Sequence, residues 1–174
     1  MVLKLTHTFS PVKLAKNMTN LSVFTQPNPI LRTKSSPVDE AELLTKKHQQ
    51  FINEMKETMR ASNGIGIAAP QVGIHKRIII VDLDGRPEAF VNPRIVSASF
   101  RKVESEEGCL SVPGVYGIVK RHKSVRVEAI NEDGLPQAFD VDGLPAIIFQ
   151  HEIDHLDGVL FIDKVTRFTS PPRL

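Results

Sequence analysis

The sequence predicts an α+β fold, in which mixed or antiparallel β-sheets pack around a central helix that bears an H-E-x-x-H motif. Apolar residues recur at helical spacing in the first third of the chain, β-forming residues dominate its middle, and helical spacing returns near the carboxyl end. The 174 residues, of which 41% are hydrophobic, suffice for one domain with its own core. We therefore expect a single domain over residues 21–174, preceded by a leader over residues 1–20.

The first predicted element is a long N-terminal helix over residues 36–61. Its apolar positions are spaced three or four residues apart, which places them on one helical face. Ser36-Pro37 is a suitable start for the helix, and Asn63-Gly64 is a typical stop. The positions on this face are Leu44, His48, Phe51, Ile52, Met55 and Met59.

The middle of the chain is predicted to be mostly sheet. Runs of β-forming residues are bounded by turn residues such as Asp84-Gly85, and a turn at 131–134 joins the last two runs. A second helix is predicted to begin near Asp142, to tolerate Pro145 in its first turn and to end at Gly158. The predicted strands are 77–83, 89–95, 97–104, 115–130 and 137–141.

Composition argues against several classes of function. The formal charge of +2 comes with basic residues scattered along the chain, so a nucleic acid or another polyanionic partner is not indicated. No apolar run approaches the roughly 18 residues that span a bilayer. The one cysteine, Cys109, excludes an internal disulfide. The segment before Asp39, the first acidic residue, is rich in lysine, serine and threonine. This composition fits a transit peptide, a solvated leader or an artificial one.

Residues 151–155 form the motif H-E-x-x-H on the second predicted helix. Positions i and i+4 lie one turn apart, so His151 and His155 can bind one cation while Glu152 moves protons to and from a water. The alternative is a helix with two partly exposed histidines and a solvated acid. Apolar residues form one stripe along the helix with the two histidines, so both imidazoles are expected to face the core. An unpartnered buried imidazole costs on the order of 1–3 kcal/mol, which favours a bound metal. The apolar residues of this stripe are Leu144, Ile147 and Ile148.

A catalytic metal site of this kind needs a third protein ligand. The extended zinc-protease pattern requires histidine where this chain has Phe161, and no histidine or glutamate follows His155. The third ligand must therefore lie upstream. Cys109 follows Gly108, which allows close approach of the backbone, and a ligand, a nucleophile and a buried apolar thiol all remain open for it.

Three blocks of sequence follow one another along the chain: G-I-G-I-A-A-P-Q at 64–71, E-G-C-L-S at 107–111 and Q-H-E-I-D-H-L at 150–156. Together they resemble the peptide deformylases of the bacterial type, over about residues 28–165. The first block also resembles a dinucleotide-binding fingerprint. However, it follows a predicted helix and leads into a strand, which is the reverse of the order in that motif.

The resemblance implies a metal-dependent amide hydrolase, with one catalytic domain over 21–174. It implies one divalent cation, expected to be Fe²⁺, and Zn²⁺, Ni²⁺ or Co²⁺ suit the same donors. The residues that it assigns are Cys109, His151 and His155 as metal ligands, Glu152 as general acid and base, and the Gln71 side chain with the Leu110 backbone amide as stabilisers of an oxyanion.

The resemblance also implies the substrate, which is the N-formyl group on the initiator methionine of newly made polypeptides. The expected partners are therefore N-formylmethionyl nascent peptides. Glycine-rich backbone is expected to lie against the peptide, and apolar side chains on the second helix are expected to form a slot for methionine. The residues expected to bind substrate are Gly64, Ile65, Gly66, Leu144, Ile147 and Ile148, with Leu110 beside them.

Two features depart from the compact bacterial members. The chain stops soon after Val165, so we expect no long basic C-terminal helix, which some relatives dock on the ribosome, and only transient proximity to the ribosome. The leader over 1–20 has no counterpart in the compact bacterial members. We expect a cytoplasmic protein, or an organellar one if this leader is a transit peptide. We expect neither nucleic-acid readout nor a membrane partner. A zinc endopeptidase and a catalytically silent binding protein are the alternative functions.

Overall fold

Residues 20–170 are described by the structure, a computed structural model, and they form an α+β fold with antiparallel sheets. The predicted leader lies outside these residues, apart from Asn20. The helices are α1 (Glu40–Leu43), α2 (Lys46–Ala61) and α3 (Gly143–Leu156), and the strands are β1 (Gly66–Ala68), β2 (Ile78–Leu83), β3 (Arg86–Ala98), β4 (Lys102–Cys109), β5 (Val112–His122), β6 (Ser124–Ile130), β7 (Pro136–Asp142) and β8 (Val165–Phe168).

The single helix predicted over 36–61 is wrong in its first part, because the structure has two helices there. The short α1 ends at Leu43, and α2 begins after Thr45, which is its N-cap. The Thr45 hydroxyl accepts a hydrogen bond from the His48 amide at 3.2 Å, which satisfies one of the free N–H groups at the start of α2. Leu44, expected on the buried face, is 69% exposed because it lies in this break.

The five-stranded sheet has the order β1-β2-β3-β6-β7, with every neighbouring pair antiparallel. Side chains alternate across β2, so that Ile78 and Ile80 pack with the core under α2, while Ile79 and Val81 pack with the core under α3. Both faces of the strand are therefore buried, which explains its unbroken apolar sequence. Helices α2 and α3 cover opposite faces of this sheet.

The three-stranded sheet has the order β4-β5-β8. The predicted strand over 115–130 is two strands in different sheets, since β5 ends at His122 and β6 begins at Ser124. The break predicted near residue 96 is also wrong, because β3 continues to Ala98. No glycine or proline marks the change of sheet at Lys123, whose amide donates instead to the Arg101 carbonyl of the neighbouring turn at 2.9 Å.

Helix α3 carries the H-E-x-x-H residues and contacts strands of both sheets. Pro145 lies in its first turn, where a missing N–H has no cost, and Gly158 follows its end with φ +75°. All residues from Ala146 to Ile153 are buried, as expected for a helix covered on all sides. None of the helices within residues 20–170 is long and apolar enough to cross a membrane.

Candidate active site

The three polar residues of the H-E-x-x-H motif lie in the interior. His151 and His155 are each 1% exposed, and Glu152 is fully buried. The two imidazole rings are one helical turn apart, with centroids separated by 5.0 Å. The alternative of partly exposed histidines and a solvated acid is therefore wrong.

Cys109 meets the histidines from the three-stranded sheet, because it is the last residue of β4. Its Sγ lies 3.2 Å from Nε2 of His155. The ligand atoms of Cys109, His151 and His155 all lie within 4.8 Å of one another. Nε2 of His151 is buried and has no hydrogen-bond partner within residues 20–170. A buried thiol and imidazole nitrogens that converge in this way are a donor set suited to a borderline divalent cation.

The other nitrogen of His151 is held by Glu107, two residues before Cys109 on β4. Nδ1 of His151 lies 2.8 Å from Oε2 of Glu107. Arg121 on β5 donates to both oxygens of Glu107, at 2.7 and 2.9 Å, and also pairs with Asp154. Glu107 is fully buried and Arg121 is 3% exposed. This arrangement fixes the ring of His151 with Nε2 directed away from Glu107, as in many metal-binding histidines.

The electrostatics of the cluster favour a bound positive charge. Burial raises the pKa of Cys109, but His155 and His151 outweigh this effect and lower the pKa well below its ordinary value. Burial lowers the pKa of His151, but the neighbouring Cys109 and Glu107 outweigh that effect and raise the pKa to about 9. The anionic neighbours thus increase the affinity of His151 for a proton, and they favour a metal cation at the same position.

Gln71 reaches the cluster from the short 3-10 helix after β1. Its Oε1 accepts from the Ala68 amide at 2.8 Å, which fixes the orientation of the side-chain amide. Its Nε2 then donates to the Ser111 hydroxyl at 3.1 Å and lies 3.5 Å from Sγ of Cys109. Gln71 is fully buried, so its N–H groups are directed at the cluster in a dry environment.

The glycine-rich segment contacts α3 closely. A Cβ at Gly66 would lie 2.4 Å from Oε1 of Glu152 and 2.9 Å from Cγ2 of Ile148, so only glycine fits there. A Cβ at Gly64 would lie 3.2 Å from Cδ1 of Leu110. The backbone at 64–66 and the turn after Cys109 thus line the same region beside Glu152.

The residues predicted to bind the methionine side chain are only partly brought together. Ile147 and Ile148 are buried in the core with Ile65 packed against them. Leu144 is 42% exposed and precedes His151 by seven residues, which is about 10 Å along the helix. The structure thus brings Gly66 against Glu152 and Ile148, and Gly64 against Leu110, while Leu144 lies about two helical turns from His151.

Sequence reasoning missed the contributions of Glu107 and Arg121. Glu107 belongs to a block that was identified, and its position two residues before Cys109 on a strand places both side chains on one face. That spacing is a signal that could have assigned it to the site. Arg121 offered no such signal, because its pairing with Glu107 is set by the register of β4 and β5.

A buried cluster of two histidines from an H-E-x-x-H helix and a cysteine from a strand defines the class, which is that of α+β proteins with a candidate catalytic metal centre. The sequence model of the family described as polypeptide deformylase matches residues 20–170, and the chain belongs to that family. The chain is therefore a hydrolase that removes the formyl group from newly made polypeptides.

Relatives and solved structures agree with this assignment. The chain is 44% identical to peptide deformylase 2 of Xanthomonas axonopodis pv. citri, over 86% of this chain and 89% of that protein. Its fold matches the crystal structure of peptide deformylase from Thermotoga maritima with a TM-score of 0.81, over 85% of this chain and 99% of the other. The two sequences are 35% identical. A peptide deformylase structure from Acinetobacter baumannii matches 86% of this chain and 100% of its own chain, with a TM-score of 0.82 and 37% sequence identity.

Proposed function

We propose that Cys109, His151 and His155 bind one divalent cation and that the residues around them deformylate N-formylmethionyl peptides. The convergence of the three ligand atoms within 4.8 Å is the observation that carries this proposal. A divalent cation in such a site lowers the pKa of water toward neutrality and polarises a carbonyl group. Fe²⁺ is the ion that we propose, and Zn²⁺, Ni²⁺ and Co²⁺ suit the same donors.

Glu152 is the general base and general acid of the proposed reaction. Its buried carboxylate follows His151 on α3 and touches the space that Gly66 leaves open. It takes a proton from the water that attacks the formyl carbon and then donates a proton to the departing amine. The products are formate and a free methionyl amine.

Gln71 and Leu110 stabilise the oxyanion that develops on the formyl oxygen. The Gln71 amide is fixed by Ala68, so its Nε2 does not have to reorient during the reaction. Leu110 follows Cys109 directly in the turn between β4 and β5, so its backbone N–H lies next to the proposed ligand in the chain. Donors in a buried site act in a low dielectric, where they stabilise charge more than they would in water.

The methionine side chain binds against the apolar end of the site. Ile147 and Ile148 precede His151 on α3, and the backbone at 64–66 lies against Glu152 and Ile148. Leu144 covers the outer end of this slot. The Acinetobacter relative was solved with Met-Ala-Ser, a peptide that begins with methionine. Residues proposed to bind substrate are Gly64, Ile65, Gly66, Leu144, Ile147 and Ile148, with Leu110 beside them.

We also propose that residues 21–174 act as one catalytic domain and that residues 1–20 are a leader outside it. The family match over 20–170 supports this division. Because the substrate is the newly made chain, we place the enzyme in the cytoplasm, in transient proximity to the ribosome. If the leader is a transit peptide, the same chemistry takes place in an organelle.

Replacement of Glu152 tests the proposal directly. In Glu152→Ala the three ligands remain, so one divalent cation per chain is expected, whereas kcat/KM on a formyl-Met peptide should fall by about 10²- to 10⁴-fold. His151→Ala and Cys109→Ser should lose metal and activity together. Metal analysis and formate release from anaerobically prepared protein measure both quantities. Retention of more than about a tenth of the wild-type kcat/KM in Glu152→Ala would contradict the role given to this residue.

A further inference from the structure

A cavity of about 200 Å³ adjoins the candidate metal site. It begins at Cys109 and Leu110, and the stretch from Val112 to Tyr116 forms the rest of its lining. The formyl group is the first group of the substrate, so the peptide can extend from the site only through the residues after methionine. Because the cavity adjoins Leu110 and contains none of the α3 residues proposed for the methionine slot, it suits those following residues.

The far wall of this cavity is a bulge at the start of β5. Cys109 pairs with Val112, but the preceding residue Gly108 pairs with Tyr116. Residues 113–115 therefore lie outside the β4–β5 ladder, and Gly114 has φ +76°. The ladder with β4 does not hold these three residues in place.

The residues after β8 hold the bulge. The Ser170 hydroxyl accepts a hydrogen bond from the Tyr116 amide at 2.9 Å and donates one to the Gly114 carbonyl at 3.2 Å. The Thr169 amide donates to the Tyr116 carbonyl at 2.9 Å, and the Thr169 hydroxyl donates to Glu106 on β4. The Ser170 side chain thus connects Gly114 with Tyr116, although Ser170 follows Tyr116 by 54 residues in sequence.

We propose that Ser170 is a positioning residue that fixes the 113–115 bulge and thereby sets the affinity of the enzyme for the peptide residues that follow methionine. This proposal rests on the proposed function of the neighbouring metal site. The hydrogen bonds of the Ser170 hydroxyl go to Gly114 and Tyr116, so it acts on binding of the extended peptide and not on the chemical step.

A comparison of a short and an extended substrate tests the proposal. In Ser170→Ala, KM for formyl-Met-Ala-Ser should rise about three- to tenfold with kcat nearly unchanged, the usual effect of one lost hydrogen bond. KM for formyl-methioninamide, which lacks the following residues, should stay within about twofold of wild type. Ser170→Thr keeps a hydroxyl and should restore the wild-type KM. The Tyr116 amide should exchange its hydrogen faster in Ser170→Ala than in wild type.

Thr166→Val is the matched control. The Thr166 hydroxyl lies on β8 itself and donates to the Ile118 carbonyl at 3.1 Å, outside the bulge. Its loss should leave both KM values unchanged. If Ser170→Ala raises KM equally for the two substrates, or leaves both unchanged while the wild type is active, the positioning role is wrong and the proposed function stands. If metal-loaded wild type hydrolyses neither substrate, both proposals are wrong.

Discussion

The absence of a side chain at Gly66 is as important to the site as the charged groups around it. The backbone approaches α3 so closely here that a Cβ would lie 2.4 Å from a carboxylate oxygen of Glu152. In Gly66→Ala the carboxylate must therefore move. Displacement of a catalytic group by about 1 Å can cost about 10²-fold, so we expect kcat/KM to fall by about that factor while the metal content stays at one per chain.

Gly64→Ala is the control for this prediction, because the closest contact of its Cβ would be the flexible Cδ1 of Leu110 at 3.2 Å, and the next contacts would lie at an ordinary 3.4 Å. Its kcat/KM should change by less than about tenfold, since such a contact can relax. Deformylation rates and metal analysis of the two variants decide the matter. Equal losses in both would show that the segment is merely sensitive to any substitution.

At the level of single residues, the sequence was most informative where a spacing has one structural meaning. His151 and His155 are four apart in a helix, so their convergence follows from helical geometry alone. Cys109 could be assigned only through its surrounding block, because a lone cysteine carries no spacing. The pairing of Glu107 with Arg121 could not be read at all, because it depends on which residues of β4 and β5 face each other.

Among the elements, the break between α1 and α2 illustrates why a periodic pattern can overextend a helix. Leu44 fits the apolar period, yet the following Thr45 accepts from the His48 amide and begins a new helix. Threonine competes with the helical backbone in this way, and apolar periodicity does not register that competition. The change of sheet at Lys123 was missed for a related reason, since the Lys123 amide bonds the carbonyl of Arg101, a residue 22 positions earlier that no local pattern relates to it.

This cap leads to a prediction about the stability of α2. In Thr45→Ala the His48 amide loses its side-chain acceptor, so the free energy of unfolding should fall by about 1 kcal/mol. Urea unfolding of the metal-free protein measures this change. Thr33→Ala, at an exposed position outside the α-helices, should change it by less than about 0.5 kcal/mol. A Thr45→Ala variant as stable as wild type would mean that the cap contributes nothing.

On the scale of the whole molecule, Glu107 connects parts of the fold that are distant in sequence. Glu107 lies on β4 and pairs with Arg121 on β5. It also bonds His151 on α3, and Arg121 in turn pairs with Asp154 on the same helix. Breaking a buried ion pair by removal of one partner typically costs about 3–5 kcal/mol. The network that orients a proposed metal ligand therefore also joins the three-stranded sheet to α3.

The network predicts how stability depends on pH in the metal-free protein. Burial raises the pKa of Glu107, but Arg121 and His151 outweigh this effect and lower the pKa from 4.5 to about 2. A carboxyl group with a lowered pKa in the folded state stabilises it above the unfolded pKa, and this contribution is lost as pH falls through the folded value. The free energy of unfolding should therefore decrease by roughly 3 kcal/mol from this group as pH falls from about 5 to about 2.

Urea unfolding between pH 6 and pH 3 tests this contribution, with metal removed so that pH-dependent metal binding does not add to the slope. Glu107→Gln cannot ionise, so its stability should be lower near neutrality and should depend less on pH across this range. Glu128→Gln removes the surface partner of Arg94, whose side chain is 71% exposed, and should keep the wild-type slope. If Glu107→Gln and wild type lose stability in parallel below pH 5, the Glu107 carboxyl is not the group whose protonation loosens the connection between the sheet and α3.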